Sequence, residues 1–469
     1  MTQTGERDTE QPHDRSLMTD SVAPRPVMID LFAGAGGMSL GFEAAGFDVF
    51  AAVEYDPVHA ATHRYNFPQT EVLCRDIRTV SASDVLEAAK AGALRHGRTD
   101  WDGSIDVVAG GPSCQGFSVM GQRNTDDERN DLILEFVRLV EQIRPQAFCL
   151  ENVPGLLQPQ YQPVLSTVLE RLERAGYTII GADAPVSALE FGVPQARRRV
   201  IILGQLDRSP LPLAPTHDDA YTVGDALAGL PDLEYYPNAT TQSRLRLTDD
   251  DRKRWLQTSN AYLAELSINA GRPAPYGHTR AVDDTYLSGL RSVRHSPTTT
   301  ARFEATPQGA KEPVSRLYRL SATKPSLTLR AGTGRERGAF TAPRPIHPWR
   351  PRVITVREAA RLHSFPDWFE FHETNWHAHR QIGNAVPPLL SRAAARSLLS
   401  SIGVIVGPSR LRQLQVQSRK LLSLSVTTAA AEMEARLADL PPPRARRSGH
   451  NPSLGVTKSD DGSLGQHSQ

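Results

Sequence analysis

The motif GGPSCQGFS at residues 110–118 contains the side chain best suited to covalent chemistry, the thiol of Cys114. The apolar run that leads into it, residues 105–110, predicts a buried β-strand. Sheets of the α/β class place their active sites at the carboxyl ends of their strands, so a thiol in this turn is positioned to act as a nucleophile. The other two cysteines, Cys74 and Cys149, lie inside apolar runs and are expected to be buried core residues.

A glycine-rich turn, DLFAGAGGMSLGF at residues 30–42, follows the first strand-like run. Clustered glycines let the backbone approach a ligand closely and turn at once into a helix. About 20 positions further on, Glu54 ends the next strand-like run, where a carboxylate would bind ribose hydroxyls. Asp76 ends the third run and can accept a hydrogen bond from the exocyclic amine of an adenine. These residues predict a nucleotide-like cofactor and leave a NAD-type dinucleotide equally open.

Short β-rich runs alternate with helical patterns from residue 27 to about 205, which predicts an α/β fold with a doubly wound, mostly parallel sheet. Prolines, threonines and arginines replace that periodicity between residues 206 and 352. This insert is therefore expected to form an irregular second domain, with one helix at about 252–266.

Helical patterns return after the insert. Residues 354–365 are amphipathic, and Thr355 with Glu358 three positions later predicts a capping box. A last helix is predicted from about Pro387 to Ser400. The resulting division is a disordered tail (1–24), the first part of a domain that carries the chemistry (25–205), the insert (206–352), the second part of that domain (353–405) and a mostly flexible tail with one possible helix (406–469).

The composition, with 39% hydrophobic and 22% charged residues in 469, is typical of a globular protein. A net charge of +1 hides a basic stretch, because residues 240–352 hold 20 Lys and Arg against 9 Asp and Glu. An excess of arginine favours a polyanionic partner, since the guanidinium suits phosphates and guanine edges. The arginines concerned are Arg244, Arg246, Arg291, Arg294, Arg316, Arg319, Arg330, Arg335 and Arg337.

No apolar run is long enough for a membrane span, and the first 25 residues do not form a signal sequence. The 3 cysteines lack paired spacing, which predicts neither a disulfide framework nor a zinc site. We therefore expect a cytoplasmic monomer that holds no metal and does not bind a membrane.

Eight sequence features stand in an order that carries a specific resemblance. They are DLFAGAGG (30–37), Glu54, Asp76, GGPSCQGFS (110–118), ENV (151–153), QARRR (195–199), REAARLHSFPD (357–367) and QIGNAVPP (381–388). The chain resembles the C5 cytosine-specific DNA methyltransferase family, which uses S-adenosyl-L-methionine as its methyl donor. The resemblance covers residues 27–205 and 353–400, and the insert occupies the place of the family's target-recognition domain. Ser113 stands where the family motif more commonly has proline. The serine makes the turn less rigid and removes no reacting group.

The resemblance implies methylation at carbon 5 of a cytosine that has been flipped out of duplex DNA. Cys114 would add to carbon 6 of the ring, and Glu151 would donate to ring nitrogen 3. An ion pair with an arginine at the end of the sheet is the alternative role for Glu151. The loop at residues 116–130 would close over the flipped base.

In QARRR, side chains at alternate positions would share one face of a strand. The resemblance implies that Arg199 holds the exocyclic oxygen of the cytosine and that Arg197 supports the nearby loop or a phosphate. Arg198 would face the other way, as part of a solvated surface.

The pocket for S-adenosyl-L-methionine is also implied by the resemblance. Its residues would be Phe32, Gly34, Gly36, Glu54, Asp76, Ile77, Pro112, Leu132, Asn384 and Val386. For Asn384 to reach the first strand, the last helix has to return beside it.

The expected partner is double-stranded DNA with a specific target sequence. A restriction-modification role, with a cognate endonuclease that acts on the same site, is our hypothesis. Three alternatives remain at this point: the same chemistry on a transfer RNA, a DNA-binding regulator that has lost catalysis, and a dinucleotide-dependent oxidoreductase. The basic insert disfavours the first, the joint presence of Cys114, Glu151 and Arg199 disfavours the second, and the ENV, QARRR and GNAVPP motifs disfavour the third.

Overall fold

The computed structural model describes residues 24–112, 131–266, 277–332, 344–407, 413–414 and 417–435. Several predicted features lie outside these residues: Cys114 with Ser113 and the loop at 116–130, two arginines of the insert (Arg335 and Arg337), and most of both predicted tails.

A mixed sheet of eight strands forms the centre of the described structure. Its strands are β1 (Val27–Leu31), β2 (Asp48–Glu54), β3 (Glu71–Cys74), β4 (Val107–Gly110), β5 (Ala147–Asn152), β6 (Tyr177–Ile180), β7 (Val186–Ser187) and, after the short β8 (Gln195–Ala196) outside this sheet, β9 (Arg198–Leu206). The order is β3-β2-β1-β4-β5-β9-β6, and β7 pairs with β9. Strands β1 to β5 run parallel, whereas β9 is antiparallel to both of its neighbours in that order. The predicted α/β class with a mostly parallel sheet is confirmed.

The chain reverses its direction of winding between β1 and β4, which are sequence-distant neighbours in the sheet. In open α/β sheets a crevice opens at such a switch point, outside the carboxyl ends of the strands. Both glycine-rich motifs follow strands at this point, because β1 leads into residues 32–37 and β4 leads into residues 111–118.

Helices cover both faces of the sheet. They are α1 (Gly37–Ala45), α2 (Pro57–Asn66), α3 (Ala82–Arg95), α4 (Asp131–Ile143) and α5 (Gln162–Arg174). The apolar sides of α3, α4 and α5 form one core with the sheet, while α1 belongs to a second core on the opposite face. Cys74 and Cys149 are both buried, as predicted.

The insert consists of short elements. They are α6 (Val223–Leu227), β10 (Arg244–Arg246), α7 (Asp249–Gln257), α8 (Ala261–Leu266), β11 (Tyr286–Ser288), α9 (Pro297–Ala305) and β12 (Ser326–Leu327). The prediction of a single helix at about 252–266 is wrong. The backbone of Thr258 is extended, and the side-chain oxygen of Asn260 accepts a hydrogen bond from Leu263 N at 2.7 Å, which caps a new helix.

The insert packs directly on the sheet domain, and its apolar side chains share one core with α1. A buried ion pair fixes this contact: Arg280 donates from both terminal nitrogens to the carboxylate of Glu43 on α1, at 2.6 and 2.8 Å. Burial raises the pKa of Glu43, but the charges of Arg280 and His278 outweigh it and lower that pKa to about 2. The insert is therefore joined to the sheet domain at the amino-terminal ends of the parallel strands.

The last described elements are α10 (Val356–Leu362), α11 (Asn375–Asn384), α12 (Pro388–Ile402) and α13 (Val426–Glu432). Helix α12 lies against α1, where Ser391 Oγ donates to Met38 O at 2.9 Å. The expected return of the last helix thus brings it beside α1, the helix that follows the first strand. None of the helices in the described part of the chain has the length and apolar composition that a membrane span requires.

The predicted capping box at the start of α10 is present. Glu358 N donates to Thr355 Oγ1, and the Glu358 carboxylate accepts from Thr355 N at 2.7 Å. We predict that Thr355→Ala lowers the free energy of unfolding by about 1 kcal/mol, because Glu358 N loses the side-chain oxygen that accepts its hydrogen bond. Thr355→Ser keeps the oxygen and should remain close to wild type. Urea unfolding followed by circular dichroism measures both, and equal losses in the two variants would contradict the capping role.

Candidate active site

The loop after β1 forms an open cradle at the switch point of the sheet. Phe32 and Gly34 both have left-handed backbone, with φ of 63° and 57°. A side chain at Gly34 would meet no atom within 4 Å, whereas one at Gly36, where φ is 104°, would overlap the ring of Phe67. Open space above Gly34 and a required glycine at position 36 suit the close approach of a ligand to the backbone.

Glu54 is held at the rim of this cradle. Its Oε2 accepts a hydrogen bond from Gly34 N at 2.7 Å, and its Oε1 accepts one from Asp56 N at 2.8 Å. Burial raises the pKa of the carboxyl. The side chain is therefore fixed in position at the end of β2, and the remaining lone pairs of its two oxygens can accept hydrogen bonds from ribose hydroxyls.

Asp76 lies at the end of the neighbouring strand β3, but its carboxylate already has a partner. Arg78 Nη2 is 2.6 Å from Asp76 Oδ2, and Arg78 N donates to Oδ1 at 3.0 Å. Burial acts to raise the pKa of Asp76, and these hydrogen bonds lower it below the ordinary value. An adenine amine at this position would share the carboxylate with Arg78. Ile77 is buried in the core, while Phe32 and Leu132 are partly exposed against the same core.

A buried polar chain supports the cradle from below. Asp30 Oδ2 accepts from Ser39 N at 3.0 Å and from Ser39 Oγ at 2.5 Å, and Ser39 Oγ lies 2.9 Å from His63 Nε2. Burial lowers the pKa of His63 to about 3 and raises that of Asp30 to about 7. These three residues were not predicted from the sequence to act as a unit. The available signal was a charged residue inside the apolar strand VMIDL.

Glu151 lies where the chain leaves β4 toward Cys114. Strand β5 pairs with β4, so that Leu150 lies opposite Gly110. A Cβ atom on Gly111 would stand 2.9 Å from Glu151 Oε2, so a side chain at that position would force the Glu151 carboxylate to shift. Pro112 is buried beside it. The backbone that enters the cysteine loop thus passes directly against the Glu151 carboxylate.

Arg199 pairs with Glu151. Strand β9 lies antiparallel to β5 with Val200 opposite Asn152, and Arg199 Nε is 2.7 Å from Glu151 Oε1. The alternative considered for Glu151, an ion pair with an arginine at the end of the sheet, is therefore the arrangement in this structure, and the arginine concerned is the one expected to face the base. Arg198 is exposed, as expected.

Arg197 requires a correction. It is 1% exposed, and its terminal nitrogens donate to the carbonyl oxygens of Leu329 (3.2 Å), Gly383 (3.3 Å) and Ala385 (3.0 Å). A side chain enclosed in this way cannot contact a DNA phosphate. Because the strand is interrupted at this residue, between β8 and β9, Arg197 points into the junction of three segments and acts as a positioning residue there.

The GNAV turn (residues 383–386) lies between the cradle and Glu151. A Cβ atom on Gly37 would overlap Val386 O, and Val386 Cγ2 is 3.8 Å from the Cβ position of Gly111. Val386 is buried, whereas Asn384 at the end of α11 is exposed. The turn thus places Val386 between the two glycine-rich loops and leaves the Asn384 side chain at the rim.

Only part of the positive charge in the insert is available to a polyanion. Arg319 donates to the carbonyl oxygens of Phe303, Glu304 and Thr306, and Arg244 pairs with Asp283 at 2.9 Å. Other arginines expose their side chains; these are Arg246, Arg294, Arg316 and Arg330, and Arg291 is partly exposed.

Asp48, His96 and His278 are buried at the opposite edge of the sheet, and their polar atoms lie within 4.8 Å of one another. Arg25 Nε lies 2.9 Å from Asp48 Oδ1, and Arg98 Nη1 lies 3.7 Å from Asp48 Oδ2. These two guanidinium groups already supply the positive charge that a metal ion would bring to this carboxylate, so the cluster is explained as a buried ion pair.

Comparison with known proteins identifies the family. Residues 27–400 match the family model for C-5 cytosine-specific DNA methylase. The type II methyltransferase M.XorII of Xanthomonas oryzae is 42% identical over 412 residues, which are 87% of this chain and 92% of the relative. The chain belongs to the C-5 cytosine-specific DNA methylase family. The type II methyltransferase M.AgeI of Thalassovita gelatinovora is 34% identical over 80% of this chain and 99% of its own.

Solved structures agree with this assignment. A DNA modification methyltransferase encoded within an Escherichia coli prophage is 33% identical, with a TM-score of 0.64 over 80% of this methyltransferase and 99% of its own chain. The Schizosaccharomyces pombe Dnmt2 methyltransferase, at 16% identity and a TM-score of 0.50, shares the fold. The methyltransferase is thus a DNA (cytosine-5) methylating enzyme, and its family implies S-adenosylmethionine as the methyl donor.

The raised pKa of Asp30 predicts a pH-dependent stability. A carboxyl with a pKa of about 7 in the folded protein and an ordinary value of 3.8 lets the folded state bind more protons, so its stabilising contribution is lost as pH rises from about 4 to about 7. Asp30→Asn removes this loss. The free energy of unfolding of the variant relative to wild type should therefore increase over that interval, by up to about 4 kcal/mol. Urea unfolding at several pH values measures it, with the exposed Asp219→Asn as control. A constant difference between Asp30→Asn and wild type would contradict the assignment.

Proposed function

We propose that this methyltransferase modifies one specific duplex sequence, acting on a cytosine that has left the base stack, and that it serves as the modification partner of an endonuclease in a restriction-modification system. The observation that carries the catalytic part is the Glu151 and Arg199 ion pair, held against Gly111 three residues before Cys114. The names of M.XorII and M.AgeI as type II methyltransferases support the biological role. We propose that it acts in the cytoplasm and that it requires no metal.

The chemistry assigned to this pair follows from the electronic need of cytosine. The Cys114 thiolate forms a bond to carbon 6, and the electrons of the ring double bond move toward carbon 5, which then acts as the nucleophile. Glu151, after taking a proton from solvent, donates a hydrogen bond or that proton to ring nitrogen 3, and Arg199 donates to the exocyclic oxygen, so both stabilise the charge that addition creates. After methyl transfer, which would release S-adenosylhomocysteine, water takes the proton from carbon 5, and the electrons of that bond re-form the ring double bond and expel the Cys114 thiolate.

S-adenosylmethionine, when bound, supplies the methyl group at an electrophilic sulfonium. The residues present fit such a molecule, because the loop above Gly34 is open and the Glu54 carboxylate is fixed beside it. We propose that Glu54 accepts hydrogen bonds from the ribose hydroxyls and that Asp76 faces the adenine together with Arg78. The remaining proposed lining is Phe32, Gly36, Ile77, Pro112, Leu132, Asn384 and Val386.

The insert supplies the DNA surface in this proposal. Its exposed arginines offer charge to the phosphates and planar donors to base edges in the grooves. Others of its charged residues are used for internal ion pairs, such as Arg252 with Asp284 at 2.7 Å. The exposed ones are therefore the better candidates for contact with DNA.

The function is tested by bisulfite sequencing of DNA from cells that express the protein, beside a Cys114→Ser control. We expect protected cytosines in one short sequence with the native chain and none with the control. A purified duplex that carries 5-fluorocytosine at the mapped position should become covalently attached to wild type and not to Cys114→Ser. Transfer RNA is the competitor that tests the class of nucleic acid. Marks that persist with the control, or transfer RNA methylated in preference to duplex, would overturn the proposal.

A second prediction concerns the ion pair itself. Arg199→Lys should lower kcat by about 100-fold or more, because one point charge replaces a planar guanidinium at both Glu151 and the base. Glu151→Gln should lower kcat at least as much, since the amide cannot transfer a proton to ring nitrogen 3. Arg198→Lys is the matched control on the same strand, and its exposed side chain should leave kcat unchanged. Single-turnover methyl transfer measures the three variants, and an Arg199→Lys enzyme as fast as the control would exclude the role.

A further inference from the structure

Three fully enclosed side chains join the insert to the GNAV turn. Gln195 is 0% exposed, Arg197 is 1% exposed and His363 is 0% exposed. They come from the QARRR motif and from the residue that follows α10. None of the roles described so far explains why three polar side chains are buried together at this place.

The first connection between the insert and the GNAV turn, which we call the first route, is a chain of hydrogen bonds from Leu329 to Ala385. Each donor in it lies on the Leu329 side of its acceptor. Leu329 N donates to Gln195 Oε1 at 2.9 Å, Gln195 Nε2 lies 3.0 Å from His363 Nδ1, and His363 Nε2 lies 2.9 Å from Ala385 O. A carbonyl oxygen can only accept, so the proton of His363 sits on Nε2. Its Nδ1 then accepts from the Gln195 amide.

This chain requires a neutral imidazole. A protonated His363 would direct an N–H at the amide nitrogen of Gln195, whose oxygen is already committed to Leu329 N. Burial, with Arg197 nearby, lowers the pKa of His363 well below its ordinary value. The tautomer and the amide orientation are therefore both fixed by their neighbours.

Arg197 forms the second route between the same two ends. One terminal nitrogen donates to Leu329 O, and the other donates to Gly383 O and Ala385 O. The N–H and the carbonyl oxygen of Leu329 are thus both linked to the GNAV turn through buried side chains.

The two ends of these routes lie in functionally different places. Leu329 follows β12, which pairs with β8, and the chain continues to the exposed Arg330 and toward residues 333–343 of the insert. At the other end, Ala385 and Val386 pack against Gly37 of the cradle, and Val386 lies beside Gly111. One end is in the segment proposed to meet DNA, and the other is in the wall of the proposed methyl-donor pocket.

We propose that Gln195, Arg197 and His363 are positioning residues that couple DNA binding at the insert to the shape of the methyl-donor pocket, so that the target duplex and the donor raise each other's affinity. This inference rests on the proposed function. Coupling of this kind is reciprocal: the factor by which DNA improves donor binding equals the factor by which the donor improves DNA binding.

The experiment measures binding, not turnover, and so does not depend on catalysis. The affinity for S-adenosylhomocysteine, the unreactive product, is determined by calorimetry without DNA, with a duplex that carries the site mapped by bisulfite sequencing, and with a scrambled duplex. For wild type we expect the mapped duplex to tighten binding at least about fivefold, within the usual range of coupling between sites. The scrambled duplex should have little effect.

His363→Leu interrupts the first route and leaves only the Arg197 contacts, so it should reduce that factor by about half or more. His363→Gln should restore most of it, because an amide can both accept from Gln195 and donate to Ala385 O. The matched control is His372→Leu. His372 is a buried histidine whose Nδ1 and Nε2 contact Thr374 Oγ1 and Leu424 O, so it loses comparable hydrogen bonds outside the two routes. It should keep the wild-type factor.

The outcomes separate the two proposals. A folded His363→Leu protein with the wild-type factor overturns the inference, as does a wild type that methylates DNA but shows no coupling. If His363→Leu does not fold, Gln195→Met interrupts the same chain one step earlier and decides the matter by the same criterion. A wild type that neither methylates DNA nor binds S-adenosylhomocysteine overturns the proposed function itself, independently of any variant.

Discussion

The antiparallel pairing of β9 with β5 is the constraint on which the ion pair of Glu151 with Arg199 depends. Its register sets Val200 opposite Asn152 and thereby brings Arg199 to the Glu151 carboxylate. A shift by one residue would turn Arg199 to the other face of the sheet and leave a buried carboxylate without its charge partner. The same strand carries Arg198 outward and is preceded by Arg197, which is turned into the junction with the insert. One strand register thus decides which of three consecutive arginines meets Glu151, the solvent or the protein interior.

Elsewhere in the described structure, several buried carboxylates bind side chains of other segments. Arg361 binds Asp367 at 2.7 Å, and Trp255 of the insert donates to the same carboxylate at 2.6 Å. Two similar ion pairs lie at the amino-terminal ends of the strands, where Glu43 binds Arg280 and Asp48 binds Arg25. Such pairs add little net stability compared with apolar packing, but breaking one is costly, so they specify a single arrangement of the segments.

Local sequence patterns were sufficient for the architecture of the sheet domain. The alternation of strand and helix patterns, the capping box at Thr355 and the burial of Cys74 and Cys149 all depend on neighbours close in the chain, and all are present. The insert was less predictable, because its short elements are fixed by caps such as Asn260 and by contacts with the sheet domain. The break at residues 258–260 had a local signal, because Asn260 is a residue type that favours N-caps, and the apolar spacing on both sides outweighed it in the prediction.

The candidate site was predictable where a motif places a residue at a strand end, as for Glu54 and Glu151. It was not predictable where partners come from far along the chain. The burial of Arg197 depends on Leu329 and on the GNAV turn, and the Glu151 to Arg199 contact depends on a strand register. His363 lies next to an amphipathic helix and carries no sign in the sequence of the two groups that it joins.

The attachment of the insert has a consequence for exchanging target specificity between relatives. A chimaera that transplants only the DNA-reading residues leaves Arg280 and Trp255 in place, and with them the partners of Glu43 and Asp367. A graft of the whole of residues 206–352 from a donor without those two side chains leaves Glu43 buried without Arg280, and it removes the Trp255 hydrogen bond from Asp367, which Arg361 still binds. Modular exchange in this scaffold is therefore limited by electrostatics at the junction between the insert and the sheet domain.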